Sequence, residues 1–164
     1  EESDGEAAWQ TLVLDHSIKA VISDLQMPKL NGYELLEKVR SSKLRRLQML
    51  PFILLSGEDM TALGFNAHGG TGCVSVTSNV APKLSAQFQN ACQQGNYALA
   101  LEVQDKLVHL HKNLFLENNP GGVKYAASRL GLCRNEFRLP LTPISKANEQ
   151  AIDFALAHAG LLPN

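Results

Sequence analysis

The sequence predicts an α/β chain in which a three-stranded parallel sheet with flanking helices is followed by a C-terminal helical bundle. Helical and strand patterns alternate over the first half, as they do where helices cross over between parallel strands. Three short apolar runs, Ile18–Ile22, Phe52–Leu55 and Cys73–Thr77, have the length and β-branched content of buried strands. From Ser85 onward only helical spacing recurs, so an α/β unit is expected over 1–84 and a helical domain over 85–164.

Asp4 is placed to cap a first helix whose apolar positions Ala8, Trp9, Leu12 and Val13 fall on one side. The run Ile18–Ile22 is the first strand, closed by Asp24. Asn31 with Glu34 three residues on reads as a capping box. The helix after it is expected to bury Tyr33, Leu36 and Val39 and to pair Glu34 with Lys38 one turn later. Lys43, Arg45 and Arg46 read as a solvated helix end rather than a phosphate track.

Pro51 precedes the second strand, Phe52–Leu55, and Ser56 and Gly57 end it. A short helix is expected over Glu58–His68 with Met60, Leu63 and Gly64 against the sheet. Gly69, Gly70 and Gly72 then turn the chain into the third strand, Cys73–Thr77. Helices follow over Ser85–Gln94, Tyr97–Leu116, Val123–Leu130 and Ser145–Ala159. The longest carries Ala100, Val103, Leu107, Leu110 and Leu114 as an apolar seam, and the last carries Ala151, Ala155 and Ala159 as a small-residue face.

With 164 residues, 45% of them hydrophobic and 19% charged, the chain can bury a core without a disulfide or metal staple. A net charge of −1 gives no basic surface for nucleic acid, so no nucleic-acid partner is expected. No apolar run approaches the ~20 residues of a membrane span, and EESDGEAAWQ lacks the basic and apolar regions of a signal peptide. A cytoplasmic protein with no membrane partner is the expectation. Cys73, Cys92 and Cys133 are too far apart for a metal knuckle or redox pair and read as buried thiols. His109 and His111, two apart on a helix, face differently and do not make a zinc pair. Ser56, Asp59 and His68 do not compose a catalytic triad. Gly69–Gly72 precedes a strand rather than following one, unlike a phosphate loop. A parallel sheet of three strands leaves open edges, from which a homo-oligomer is expected.

Two strings carry family resemblances. DGEAAWQTL, VISDLQMPKLNGYELLEKVR and LPFILLSG, residues 1 to about 57, resemble a response-regulator receiver domain. That resemblance implies Asp24 as phosphoacceptor and Ser56 as the hydroxyl beside the phosphoryl group. The acidic pair that would hold Mg²⁺ and the lysine-bearing fifth strand have no counterpart here, so Mg²⁺ is expected only if that site were complete. FILLSGED, ALGFNAHGGTGCVSVTSNVAPKL, LHKNLFLENNPGGVKYAASRLGL and RLPLTPIS, from about Phe52 to Leu162, resemble the C-terminal part of dihydrodipicolinate synthase. This is a pyruvate-dependent lyase family with a TIM barrel. The second resemblance implies the last two barrel strands and a helical C-terminal domain, with Gly57 and Val74 beside the pyruvate pocket.

Its Schiff-base lysine and tyrosine relay have no counterpart in this segment, and Lys19 is no replacement, so no catalytic residue is assigned and no cofactor is expected. Together the two resemblances describe a partial TIM barrel or flavodoxin-like hybrid, engineered or recombined, without native catalysis. Two other outcomes stay open: a pyruvate-dependent lyase whose missing strands come from elsewhere, and a phosphoacceptor module acting through Asp24.

Overall fold

A computed structural model describes residues 1–163. The chain divides into two compact units, the first comprising Glu1–Ser56 with Gly70–Gly72, the second Gly57–Gly69 and the chain from Cys73 onward.

In the first unit, α1 (Gly5–Leu14) starts where Asp4 accepts the Ala7 N–H at 2.9 Å, satisfying an amide that has no partner inside the helix. Lys29 reaches the same carboxyl group at 2.7 Å and holds its pKa below the usual carboxylate range. Strand β1 (Val21–Asp24) pairs in parallel with β2 (Phe52–Leu55), Val21 opposite Phe52 and Asp24 opposite Leu55. The first strand therefore starts three residues later than Ile18. Val21 N–H donates to the Pro51 carbonyl, and Pro51 has no N–H with which to carry the ladder further back.

The sheet has two strands, not three. Cys73–Thr77 forms no ladder, and a 3₁₀ turn over Thr77–Asn79 takes its end. Ser23 and Leu54 point to the buried face of this sheet, whereas Ile22, Asp24, Ile53 and Leu55 point to an exposed one.

Helix α2 (Gly32–Ser41) begins with the capping box that the sequence predicts: Asn31 accepts the Glu34 N–H and Glu34 accepts the Asn31 N–H. That box explains why the Glu34–Lys38 pair does not form. The Glu34 carboxylate is turned back to its cap, and Lys38 bonds Glu6 of α1 at 2.8 Å instead. The buried face is Gly32, Leu35 and Val39 rather than Tyr33, Leu36 and Val39. Gly32 is required there, since a Cβ would lie 2.3 Å from the Asp24 carbonyl. A short α3 (Arg45–Gln48) is closed by Arg40, whose guanidinium donates to the Leu47, Gln48 and Leu50 carbonyls. Arg46 is not merely solvated. It donates to the Leu12 carbonyl in the last turn of α1 at 2.6 Å, where orphan acceptors need donors. The core here is Leu12, Leu35, Val39, Leu47 and Leu50.

In the second unit, a 3₁₀ turn (Asp59–Thr61) runs into α4 (Ala62–Ala67). It buries Asp59, Ala62, Phe65 and Asn66, not Met60, Leu63 and Gly64; Met60 is exposed and Gly64 faces open space. Four longer helices follow: α5 (Pro82–Gln93), α6 (Tyr97–Asn113), α7 (Gly121–Arg129) and α8 (Lys146–His158). Proline at the first position of α5 supplies a pre-set φ where no N–H is needed. The seam Ala100, Val103, Leu107 and Leu110 along α6, continued by Leu114 at its C-cap, is fully buried.

Ile152, Ala155 and Leu156 of α8 join the same core. Asp153 fastens α8 to α7, accepting from Tyr125 Oη at 3.2 Å and from Arg129 Nε at 2.7 Å. Among the described residues no helix is long and apolar enough to cross a membrane. The three cysteines are free, but only Cys92 is fully buried; Cys133 is exposed.

Candidate functional site

The end of the sheet in the first unit carries the two residues implied as a phosphoryl site. Asp24 closes β1 on the exposed face, and its carboxyl group accepts the Leu25 N–H at 2.6 Å. Ser56 follows β2 and is buried. Paired residues of parallel strands point to the same face, and Asp24 pairs with Leu55. Ser56 is one residue further on, with the buried parity of Leu54, so the two side chains are turned to opposite faces. Among the described residues no group of three or more His, Cys, Asp or Glu is placed to hold a metal ion.

The second unit holds a different arrangement. Gly57 is exposed and a Cβ there would meet nothing, as a residue bordering a ligand space can. Two residues later Asp59 is only 5% exposed. One of its carboxyl oxygens accepts two backbone N–H groups, from Val76 at 3.1 Å and from Thr77 at 3.2 Å. The other faces the Cys73 thiol at 3.8 Å. These bonds satisfy amides that a strand over Cys73–Thr77 would have given to a neighbour, and the Ser75 hydroxyl takes the Ser78 N–H in the same turn. Val74 is 65% exposed rather than buried in a strand.

Thr77, itself buried, shares a 2.8 Å hydrogen bond with Nδ1 of His111 on α6. Burial holds the imidazole pKa below its usual value, against the opposing pull of Asp59 and Glu58. Burial also pushes the Cys73 thiol up to about 12, with the charge of Asp59 adding to it, so Cys73 is no nucleophile at neutral pH. A cavity of about 270 Å³ opens against Asp59, Cys73, Ser75, Ser78, Ser85 and His111. The Ser85 hydroxyl is buried beside it with no hydrogen-bond partner.

The sequence singled out Gly57 and Val74, weighed Asp59 only as a triad member and His111 only as half of a zinc pair and set both aside, and did not name Thr77 as a site residue. The signal for Asp59 was present, a carboxylate at helical spacing with Ala62 and Phe65 on a buried face. His109 and His111 do face differently: His111 is buried, while the His109 ring lies edge-on to those of Phe154 and His158.

Comparison with known proteins gives this arrangement its context. The dihydrodipicolinate synthetase family model matches residues 34–159. The 4-hydroxy-tetrahydrodipicolinate synthase of Brucella suis biovar 1 is 60% identical over 123 residues, which are 75% of this chain and 42% of that protein. The synthase of Parvibaculum lavamentivorans is 61% identical over 111 residues, covering 68% of this chain and 38% of its own length. The crystal structure of dihydrodipicolinate synthase from Aquifex aeolicus superposes with a TM-score of 0.74 at 32% identity, covering 98% of this chain and 52% of that one. A synthase variant described as monomeric gives 0.74 at 29% identity, covering 96% of this chain and 50% of its own.

These matches correct the expectation of a hybrid. The family match begins at residue 34, inside the segment that resembles a receiver, and the Aquifex synthase takes in nearly the whole chain. The chain spans less than half the length of the curated relatives it matches. It is an α/β, TIM-barrel-like fragment, and it belongs to the dihydrodipicolinate synthetase family.

Proposed function

We propose that these 164 residues are the C-terminal part of a pyruvate-dependent lyase of the 4-hydroxy-tetrahydrodipicolinate synthase type, acting in the cytoplasm. The observation that carries the proposal is the 60% identity to such a synthase over 123 residues. In this reading Gly57 and the main chain of Val74 form one wall of the pyruvate pocket. The open space beside Gly57 and the exposure of Val74 suit that role. The imine-forming lysine and the assisting tyrosines come from polypeptide outside these residues, because no lysine of the synthase-like segment stands at the end of a strand.

In this reading the same polypeptide covers the exposed sheet face of Ile22, Ile53 and Leu55. On its own the 164-residue chain hides that face by forming a homo-oligomer. The test of function is complementation: the chain is mixed, or fused, with the preceding segment of the Brucella synthase and assayed for that enzyme's activity. Recovered activity supports the proposal. An assembled complex that stays inactive contradicts it.

A further inference from the structure

Two residues of the proposed pocket wall, Gly57 and Val74, are 17 positions apart in sequence. Asp59 supplies the connection. It lies two residues beyond Gly57, which keeps the two Cα atoms within about 7 Å. Its carboxyl group holds the N–H groups of Val76 and Thr77, two and three residues beyond Val74. Thr77 in turn shares its hydroxyl with His111, which lies on the buried face of α6 close to its C-terminal end, after Leu107 and Leu110.

All three side chains are buried, although each carries polar atoms that cost free energy to desolvate. Such groups are kept where each satisfies another, and a satisfied network fixes one arrangement of backbone. Here the backbone so fixed is the segment from Cys73 to Thr77, which has no strand ladder of its own to hold it.

We infer that Asp59 and Thr77 form a positioning clamp that anchors the Val74 segment to the Gly57 turn and to α6, setting the shape of the pyruvate-facing wall. This rests on reading Gly57 and Val74 as that wall. Asp59 and Thr77 are positioning residues; neither touches the keto acid. His111 serves as the fixed post to which Thr77 is tied.

The test uses the full chain, with amide hydrogen exchange and pyruvate titration followed by NMR at Gly57 and Val74. Asp59→Ala is expected to speed exchange at Val76 and Thr77 by about tenfold or more, while the Leu110 amide is unchanged. It also removes the pyruvate-induced shifts at Gly57 and Val74. Asp59→Asn, which keeps an acceptor oxygen, restores both readouts to within about twofold.

Should Asp59→Ala not fold, Thr77→Val and Thr77→Ser decide the matter. Valine is expected to weaken pyruvate binding about fivefold, the scale of one lost neutral hydrogen bond, and serine to restore it. Unchanged exchange at Val76 and Thr77, or equal pyruvate affinity in Thr77→Val and the parent, overturns the clamp. Where the parent chain's Gly57 and Val74 signals ignore pyruvate, the exchange result judges the clamp alone and the complementation assay judges the functional reading.

Discussion

The helix starts of the first unit and the turn before α5 in the second are held by different means. In the first, Asp4 caps α1 through a bond to Ala7, and Asn31 and Glu34 cap α2 through bonds to each other; every partner lies three residues away. In the second, the turn before α5 is held by Asp59, whose bonds span 17 and 18 residues, and by Thr77 with a histidine 34 residues on. Their cores differ as well. The first unit clusters five buried apolar side chains, Leu12, Leu35, Val39, Leu47 and Leu50, whereas the second gathers its core from α4, α5, α6, α7 and α8. Local capping marks where an element starts, while the position of the Cys73–Thr77 segment depends on contacts that close only when the helices have packed.

The largest effect is expected where that packing is densest. Leu110→Ala should cost about 3–5 kcal/mol by urea denaturation, since the neighbours of a fully buried leucine on α6 cannot collapse onto the cavity. The same truncation at Leu35 should cost about 1 kcal/mol less, because the smaller core can relax. Equal losses would erase the contrast between the cores.

Next is the contrast between clamp and cap. Asp59→Ala orphans two N–H groups and should cost about 2–3 kcal/mol by thermal or urea unfolding. Asn31→Ala should cost about 1 kcal/mol, read from the fluorescence of Trp9, the single tryptophan. A larger loss at Asn31 would reverse the ranking of local and distant bonds.

The smallest effect is in pH. The folded-state pKa of His111 lies below the ordinary 6.5, chiefly through burial, with Asp59 and Glu58 opposing. The unfolded chain therefore takes up that proton first. The stability this contributes is complete above about pH 6.5 and is lost as pH falls through the folded value. Urea midpoints at pH 7.5 and 5.5 should differ more for the parent than for His111→Gln. An identical difference in both would show that the imidazole does not titrate as its burial requires.

How much was legible follows the same division. The caps at Asp4 and Asn31, the strand Phe52–Leu55, and the seam on α6 were visible because each is written in residues three or four apart, or in one apolar run. The third strand was misread because Cys73–Thr77 has strand composition, while its amides are satisfied by a side chain that no local pattern points to. Lys38 was assigned to Glu34 because spacing ignores competition from the capping box. The receiver resemblance rested on the strings DGEAAWQTL, VISDLQMPKLNGYELLEKVR and LPFILLSG, yet the family match begins at residue 34 inside the second string and runs through the third, and the Asp24 and Ser56 side chains turn to opposite faces. Gly57 and Val74 came from resemblance, but the groups that place them were out of reach until the second unit had closed around Asp59.

The most direct measurement of the central claim is borohydride trapping with pyruvate, followed by peptide mapping of the modified lysine. The chain alone should acquire no adduct. Joined with the preceding segment of the Brucella synthase, the complex should acquire one, located on that added segment. An adduct on Lys19 or any other lysine among these 164 residues, or an assembled complex with none, would contradict the account.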